Sequence, residues 1–313
     1  MPYTDMDEST LEHIRDATTS YLQLRDAKAA TAGRNFRLEW VETSGVSRLH
    51  KYGQSGELIK DLGPRNDVLS GIKEKFDLGA ANQRELLDRS EQAVRIATGL
   101  NVARGMGRVP TIAVKILDVL WQRQLMAYYL VIGTYAMYAY EAAAGVVFDE
   151  PTMATNDVDL LYNVDKKMKF AELVKDKTTM LEVLQEADPT FERDEEQKES
   201  AKNRDSFAVD LLRQEAFERF GDAFSISGID GDLYPVQAKR AKHLLSAPVF
   251  EQVVVGVDGS MTLMKTIDPK TFAGFKGWMA NLPDREPLKK IRDKLQSEAI
   301  HALLVEGRLQ SKI

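Results

Sequence analysis

Residues 155–161 read TNDVDLL, an apolar stretch that carries two aspartates, Asp157 and Asp159, one residue apart. In a β-strand alternate side chains point to the same face, so the two carboxylates would project together while Val158 and Leu160 enter the core. Like charges this close raise each other's pKa unless a cation offsets them. Carboxylate oxygens favour Mg²⁺, with Mn²⁺ as the alternative. The pattern predicts a divalent-metal site, although Asp-x-Asp is also typical of a solvated turn or a helix cap.

A glycine and a hydroxyl residue, Gly133-Thr134, end the apolar segment 129–132, and a helical pattern follows over residues 135–144. A strand that turns into a helix in this way presents free backbone N–H groups and the positive end of the helix dipole, where phosphates bind. Glycine lets a ligand approach the backbone closely, and the threonine hydroxyl can add a donor. Gly-Thr is also an ordinary helix start, so a phosphate site is one of two interpretations.

A third acid, Asp210, lies in the apolar segment 206–212, which is predicted to be another strand. A lone carboxylate in such a strand is costly unless it is paired, hydrogen-bonded or bound to a metal. We therefore predict Asp210 as a third metal ligand. The alternative is a structural ion pair with Arg213 or Arg204 at the ends of the strand.

The order of these motifs resembles the nucleotidyltransferase superfamily, which includes DNA polymerase beta, the CCA-adding enzymes and the antibiotic nucleotidyltransferases. Further motifs extend the resemblance to a bacterial branch of proteins with the same fold. These motifs are residues 154–161, Pro269-x-x-Phe272-x-x-x-Lys276-x-Trp278, and Lys289-x-x-Arg292-Asp293-x-x-Gln296.

The resemblance implies an α+β fold, in which a nucleotidyltransferase core with a mixed sheet carries the three aspartates. It implies that Asp157, Asp159 and Asp210 are catalytic residues that bind Mg²⁺, and that Gly133 and Thr134 hold the phosphates of an NTP. The implied reaction moves a nucleoside monophosphate from the NTP to an acceptor hydroxyl and releases pyrophosphate. RNA such as tRNA, a protein side chain and a small molecule are the possible acceptors.

The chain departs from the superfamily pattern at two positions. Gly-Thr stands where Gly-Ser or Gly-Gly is usual, which keeps the hydroxyl. Several relatives also place an arginine two residues before the threonine of the Asp-x-Asp motif, and this chain has Met153 there. The phosphate contact of that arginine is therefore either missing or supplied from elsewhere in the chain.

Related enzymes also hold the triphosphate with a basic residue from a helix after the third carboxylate. By that resemblance Lys276 is the candidate nucleotide-binding lysine, while a surface lysine lying over Trp278 is the alternative. For Arg292 and Asp293 the interpretation is a structural ion pair without a chemical role.

Composition sets wider limits on the class of protein. The chain has 313 residues, 43% of them hydrophobic and 29% charged, which is ordinary for a globular protein of two or three domains. It has no cysteine and only four histidines at spacings that match no metal motif, so a thiol nucleophile and a cysteine-based zinc or iron–sulfur site are excluded.

The polar, acidic start carries no targeting pattern, so we expect a cytoplasmic protein. The apolar stretch 125–148 is predicted to be a buried strand and helix, with a membrane span as the disfavoured alternative.

The net charge of −6 argues against general adhesion to nucleic acid. Residues 265–294 are an exception, with eight basic residues against four acids, and this local excess could hold a triphosphate or an RNA strand.

The periodicity predicts three regions. Residues 1–110 form an N-terminal helical and small-sheet domain, with a three-stranded meander between an N-terminal helix and the long helix 68–102. Residues 111–235 form the catalytic core, which contains helices at 111–126 and 166–186 and a solvated connection at 192–202. Residues 236–313 form a β-hairpin about Asp258-Gly259 and a helical C-terminal region.

Two alternative functions stay open at this point. The first is a noncatalytic nucleotide-binding or regulatory protein on the same fold, against which the complete set of acids speaks. The second is a glycosyltransferase, whose Asp-x-Asp also holds a metal–nucleotide complex, and which Gly133-Thr134 and Asp210 disfavour.

Overall fold

The structure is a computed structural model that describes residues 3–163, 178–214 and 227–312. The chain divides into two compact units, one formed by Met1–Ile14 with Asn101–Ile313 and one by Arg15–Leu100. The division into three regions with boundaries at residues 110 and 235 stays a prediction.

The described residues form helices and strands in a mixed order along the chain. The helices are α1 (Glu8–Ala32), α2 (Asp67–Ala103), α3 (Thr111–Gln122), α4 (Ala136–Ala144), α5 (Glu150–Met153), α6 (Met180–Ala187), α7 (Ala241–Ser246), α8 (Pro269–Ala280) and α9 (Pro287–Val305). The strands are β1 (Tyr3–Asp5), β2 (Phe36–Thr43), β3 (Val46–Gly53), β4 (Leu58–Pro64), β5 (Tyr129–Ile132), β6 (Val146–Phe148), β7 (Asp157–Tyr162), β8 (Glu192–Arg193), β9 (Ser200–Lys202), β10 (Ala208–Arg213), β11 (Val236–Gln237), β12 (Val249–Val255) and β13 (Met261–Ile267).

The central sheet has the order β5-β7-β10-β9-β8, with β11 also paired to β10. Strand β7 is antiparallel to β5 and parallel to β10, and β10 is antiparallel to β9. The sheet is therefore mixed, and the predicted α+β fold is confirmed. The predicted N-terminal meander is present as β2-β3-β4, and the predicted hairpin as β12-β13.

Both faces of the central sheet are covered, because alternate residues of its strands enter different buried clusters. Val158 and Leu160 lie in a first cluster with residues of α3. Leu161 lies in a second cluster, with residues of α4, α8 and α9 such as Phe272 and Ile300. Since Asp157 and Asp159 share the face of Leu161, the C-terminal helices cover the same face as the two acids.

Two predicted helices differ from the structure or lie partly outside its described residues. The helix 111–126 ends at Gln122 instead, because Gln124 adopts a left-handed conformation with φ +59° and turns the chain toward β5. The helix 166–186 lies partly outside the described residues, and its described end is α6. None of the described helices has the length and apolarity needed to cross a membrane.

The solvated connection predicted over residues 192–202 is wrong. The segment forms β8 and β9, which extend the central sheet, and its charged residues lie mainly in the turn between them. There Asp194 accepts hydrogen bonds from the backbone N–H groups of Glu196 and Gln197. Because the turn is rich in charged residues, the sequence pattern did not reveal the two buried strand residues Ser200 and Ala201.

The core on the α3 side gives a test of the fold. Leu120 is completely buried, so Leu120→Ala should lower the free energy of unfolding by about 2–5 kcal/mol through lost burial and the cavity left behind. Leu288, also in a helix but 74% exposed, is the matched control, and Leu288→Ala should change this energy by no more than about 0.5 kcal/mol. Urea unfolding of both variants measures the difference, and equal effects would contradict the assigned core.

Candidate metal and nucleotide site

Three carboxylates converge on one face of the central sheet. In the parallel pairing of β7 and β10, Asp210 lies directly beside Asp159, and Asp157 precedes Asp159 by two residues on the same face. One oxygen from each of the three carboxylates lies within 4.8 Å of the others. No other cluster of this kind occurs in the part of the chain that the structure describes. The predicted convergence of the three acids is therefore present.

The site disfavours negative charge on these acids unless a cation is present. Burial, together with the negative charges of Asp157 and Asp210, raises the pKa of Asp159 from 3.8 to about 7. Lys276 and Arg292 oppose this rise in the pKa of Asp159. Burial also raises the pKa of Asp210.

The protein itself supplies little to offset the three charges. Among the described residues none of the three carboxylates forms an ion pair, and the buried Oδ1 atom of Asp210 has no hydrogen-bond partner. Ser200 faces Asp210 from β9 and opposes the rise in its pKa, but its hydroxyl does not meet hydrogen-bond geometry. Three converging carboxylates, one of which carries a buried oxygen without a hydrogen-bond partner among the described residues, fit a divalent cation.

The alternative interpretation of Asp210 as the partner of a nearby arginine is not supported. Arg213 is buried and donates instead to the backbone carbonyls of Pro235 and Gln214. Arg204 forms no ion pair with Asp210 in the described part of the chain, and it lies in the exposed turn before β10.

Gly133 lies against the acids because its backbone conformation and its lack of a side chain allow it. Its φ is +68°, and a Cβ atom at this position would lie 1.9 Å from Oδ2 of Asp159. The chain turns at Gly133 from β5 into a single 3-10 turn and then into α4. The predicted strand-to-helix turn is thus present, with its glycine in contact with a metal-site carboxylate.

The hydroxyl of Thr134 is held by Gln296 of α9, which is completely buried. Nε2 of Gln296 donates to Oγ1 of Thr134 at 3.1 Å and to the backbone carbonyl of Thr152 at 2.7 Å. A carbonyl can only accept, so the NH₂ end of the amide must face both partners and the Thr134 hydroxyl is an acceptor here. The hydroxyl proton of Thr134 therefore stays available for a different acceptor.

An arginine lies beside the Asp-x-Asp motif, although Met153 occupies the sequence position at which relatives have one. Nη1 of Arg292 donates to the backbone carbonyl of Ala154, the residue directly after Met153. Its buried Nε atom has no hydrogen-bond partner within residues 3–163, 178–214 and 227–312. The last helix thus brings a guanidinium to the loop that leads into β7.

Lys276 is buried and lies at the same site, so the surface-lysine alternative is wrong. Its Nζ donates to Oδ1 of Asp293 at 2.9 Å, and burial lowers its pKa while Asp293 opposes that change. The expected ion pair between Arg292 and Asp293 is also wrong, because consecutive residues of a helix do not face each other. Asp293 pairs with Lys276 and Arg285 instead.

A cavity of about 350 Å³ joins the glycine turn, one metal-site acid and the basic residues of the C-terminal region. Its polar and charged lining residues include Gly133, Asp159, Lys239, Lys276, Asp284 and Arg285. The cavity thus brings together the predicted phosphate-binding turn and the predicted nucleotide-binding lysine.

Ser200, Arg285 and Gln296 were assigned no role from the sequence, and Arg292 and Asp293 were interpreted only as a structural ion pair. A signal was present for three of them, because positions 292, 293 and 296 share one side of a helix whose neighbouring positions 299, 300 and 303 are apolar. Polar residues next to an apolar stripe indicate buried polar contacts. No sequence pattern marked Ser200 or Arg285.

The contact of Gly133 with Asp159 gives a test. Gly133→Ala adds a methyl group that collides with the carboxylate, so Mn²⁺ affinity should fall by at least about tenfold, the lower range for a disturbed supporting contact. Gly105→Ala is the control, because Gly105 has φ +64° with no atom near its absent Cβ, and it should cost only about 1 kcal/mol of stability. Calorimetric Mn²⁺ titration compares the two, and equal affinities would contradict the contact.

The raised pKa of Asp159 predicts how stability depends on pH without metal. The unfolded chain releases this proton near its ordinary pKa of 3.8, whereas the folded protein keeps it to about 7. Ionisation therefore lowers the free energy of unfolding progressively from about pH 4 to about pH 7, and the loss is constant above that range. At about 1.4 kcal/mol per pKa unit, the total loss is a few kcal/mol.

Asp159→Asn removes this loss. In EDTA the variant should gain stability over the unaltered protein as pH rises from about 4 to about 7, with no gain below that range. Excess Mg²⁺ should stabilise the unaltered protein more than the variant at neutral pH. Urea unfolding at several pH values measures both effects. A stability difference between the two proteins that is independent of pH would contradict the raised pKa of Asp159.

Comparison with known proteins gives one match. A family model described as Nucleotidyltransferase matches residues 111–313. No curated protein and no solved structure matches the chain. The matched range covers about two thirds of the chain and includes the three aspartates, the glycine turn and both C-terminal helices. The chain therefore belongs to this nucleotidyltransferase family.

Proposed function

We propose that the protein transfers a nucleoside monophosphate from an NTP to an acceptor hydroxyl in a Mg²⁺-dependent reaction that releases pyrophosphate. The observation that supports this most is the convergence of Asp157, Asp159 and Asp210, which form no ion pair with any described residue, next to the cavity that Gly133 and Lys276 line. A site of this composition suits phosphoryl chemistry, in which positioning and charge neutralisation lower the barrier.

In the proposed reaction the acceptor oxygen forms a bond to the α-phosphorus while the bond from that phosphorus to the β-phosphate oxygen breaks. Asp157, Asp159 and Asp210 would hold the divalent cation, which when bound supplies positive charge to the phosphate and acceptor oxygens. Asp210, with its raised pKa, is suited to accept the proton that the acceptor hydroxyl loses. Pyrophosphate then leaves with the electron pair of the broken bond.

The chain's contribution to the departing phosphates comes from the glycine turn and from Lys276. Gly133 begins a 3-10 turn that continues into α4. The backbone N–H groups at the start of this helical segment suit an anion. The Thr134 hydroxyl accepts a hydrogen bond from Gln296, so its own proton can be donated to a phosphate oxygen. Lys276 adds a positive charge at the same cavity.

For the acceptor we propose RNA, in keeping with the excess of basic residues in 265–294. The basic residues of the N-terminal meander support this less, because Arg37 and Arg48 are paired with Glu39 and Asp61. A protein side chain and a small hydroxylated molecule are the other outcomes that the experiment below distinguishes.

Incubation with each α-labelled NTP, Mg²⁺ and whole-cell extract tests the proposal. Label should enter one class of acceptor, and pyrophosphate should appear in equal amount. Asp157→Asn and Asp210→Asn should each lower the rate by at least about 10²-fold, because metal-based charge stabilisation is worth several kcal/mol and each 1.36 kcal/mol is tenfold.

Asp205→Asn is the matched control, since Asp205 is exposed and precedes Asp210 by five residues. It should leave the rate unchanged. NTP binding without pyrophosphate release in any extract would contradict catalysis and indicate a nucleotide-binding protein. Release of a nucleoside diphosphate from a nucleotide sugar would indicate a glycosyltransferase.

A further inference from the structure

Asp293 of α9 is a buried carboxylate that holds two cations. It is completely inaccessible, and it accepts from Nζ of Lys276 at 2.9 Å. Nε and Nη2 of Arg285 approach its other oxygen at 2.9 and 2.8 Å. The side chains of Lys276 and Arg285 are 5% and 24% exposed, so only Arg285 has substantial contact with solvent.

Within the described residues, this cluster of one carboxylate and two cations carries a net positive charge at the wall of the cavity. One carboxylate faces two cations, and both cations line the cavity together with Gly133 and Asp159. A guanidinium has five N–H donors, and the contacts to Asp293 use only those of Nε and Nη2. The remaining donors of Arg285 suit a second oxyanion, for which guanidinium geometry is well matched.

We propose that Arg285 binds the polyphosphate of the nucleotide beside Lys276, and that Asp293 is the positioning residue that orients both cations. The identity of the anion rests on the proposed function. The role of Asp293 follows from its burial, because a carboxylate that no ligand can reach acts through the residues that it holds.

Lys239 provides an internal comparison at the same cavity. It also lines the cavity, but its Nζ pairs with Asp284 at 3.1 Å, and both side chains are more than 60% exposed. A cation that is solvated and already neutralised contributes little to binding an anion. Proximity to the cavity alone would give Lys239 and Arg285 the same effect, whereas orientation by Asp293 favours Arg285.

The test is calorimetric titration of the full chain with inorganic tripolyphosphate, with and without Mg²⁺. Arg285→Gln should raise the dissociation constant by at least about tenfold, since hydrogen bonds to charged groups are worth about 1.5–3 kcal/mol. Lys239→Gln should raise it by less than about threefold. Arg285→Lys should restore part of the loss. Equal dissociation constants for Arg285→Gln and Lys239→Gln would overturn the proposal.

The positioning role of Asp293 is tested by a double-mutant cycle. Arg285→Gln should weaken tripolyphosphate binding much less in a background that carries Asp293→Asn than in the unaltered protein. Additive effects would show that Asp293 does not orient Arg285. Should Asp293→Asn fail to fold, the comparison of Arg285→Gln with Lys239→Gln still decides whether Arg285 binds the anion.

Failure of this inference differs from failure of the proposed function. Tripolyphosphate carries no nucleoside and cannot be a donor, so its binding does not require transfer. Loss of binding in Arg285→Gln together with no transfer to any acceptor would support the anion site and contradict the enzyme. Transfer that depends on Asp157, together with unchanged tripolyphosphate binding in Arg285→Gln, would support the enzyme and contradict the anion site.

Discussion

The site depends on one constraint, the parallel pairing of β7 with β10 in a register that sets Asp159 beside Asp210. Strand alternation then adds Asp157 to the same face. That face also carries Leu161, which packs in the second cluster with α8 and α9, so the acids lie in a partly desolvated place. Burial and mutual repulsion together raise the pKa of Asp159 to about 7. This arrangement of three acids suits a compensating cation.

The last helix contributes more to the site than its distance in sequence suggests. From one side of α9, Arg292 contacts the loop before β7, Asp293 holds Lys276 and Arg285, and Gln296 holds Thr134. These contacts join the metal-binding strand, the cavity and the glycine turn to a single rigid element. Because Asp293 is completely buried, loss of one of its two cations would leave a buried carboxylate oxygen unsatisfied.

Sequence patterns predicted much of this arrangement, and the failures share a cause. Strand alternation placed Asp157 and Asp159 together, and the cost of an isolated carboxylate marked Asp210, because both depend on local periodicity and burial. The partners of Asp293 and Arg292 were predicted wrongly, since their ion pairing was judged from neighbours in sequence. Ser200 was missed because the acidic turn before it concealed a buried strand that pairs with β10.

The sequence by itself determined most of the strands and helices, the candidate metal and phosphate ligands, and the glycine of the strand-to-helix turn. These properties follow from periodicity and residue type, which act over a few residues. The tertiary structure alone decided that Asp159 is desolvated, that Gln296 leaves the Thr134 proton free, and that Asp293 selects Lys276 and Arg285. Each of these depends on which side chains meet across the sheet and the C-terminal helices. Spacing along the chain does not encode such contacts, because the residues involved are far apart in sequence.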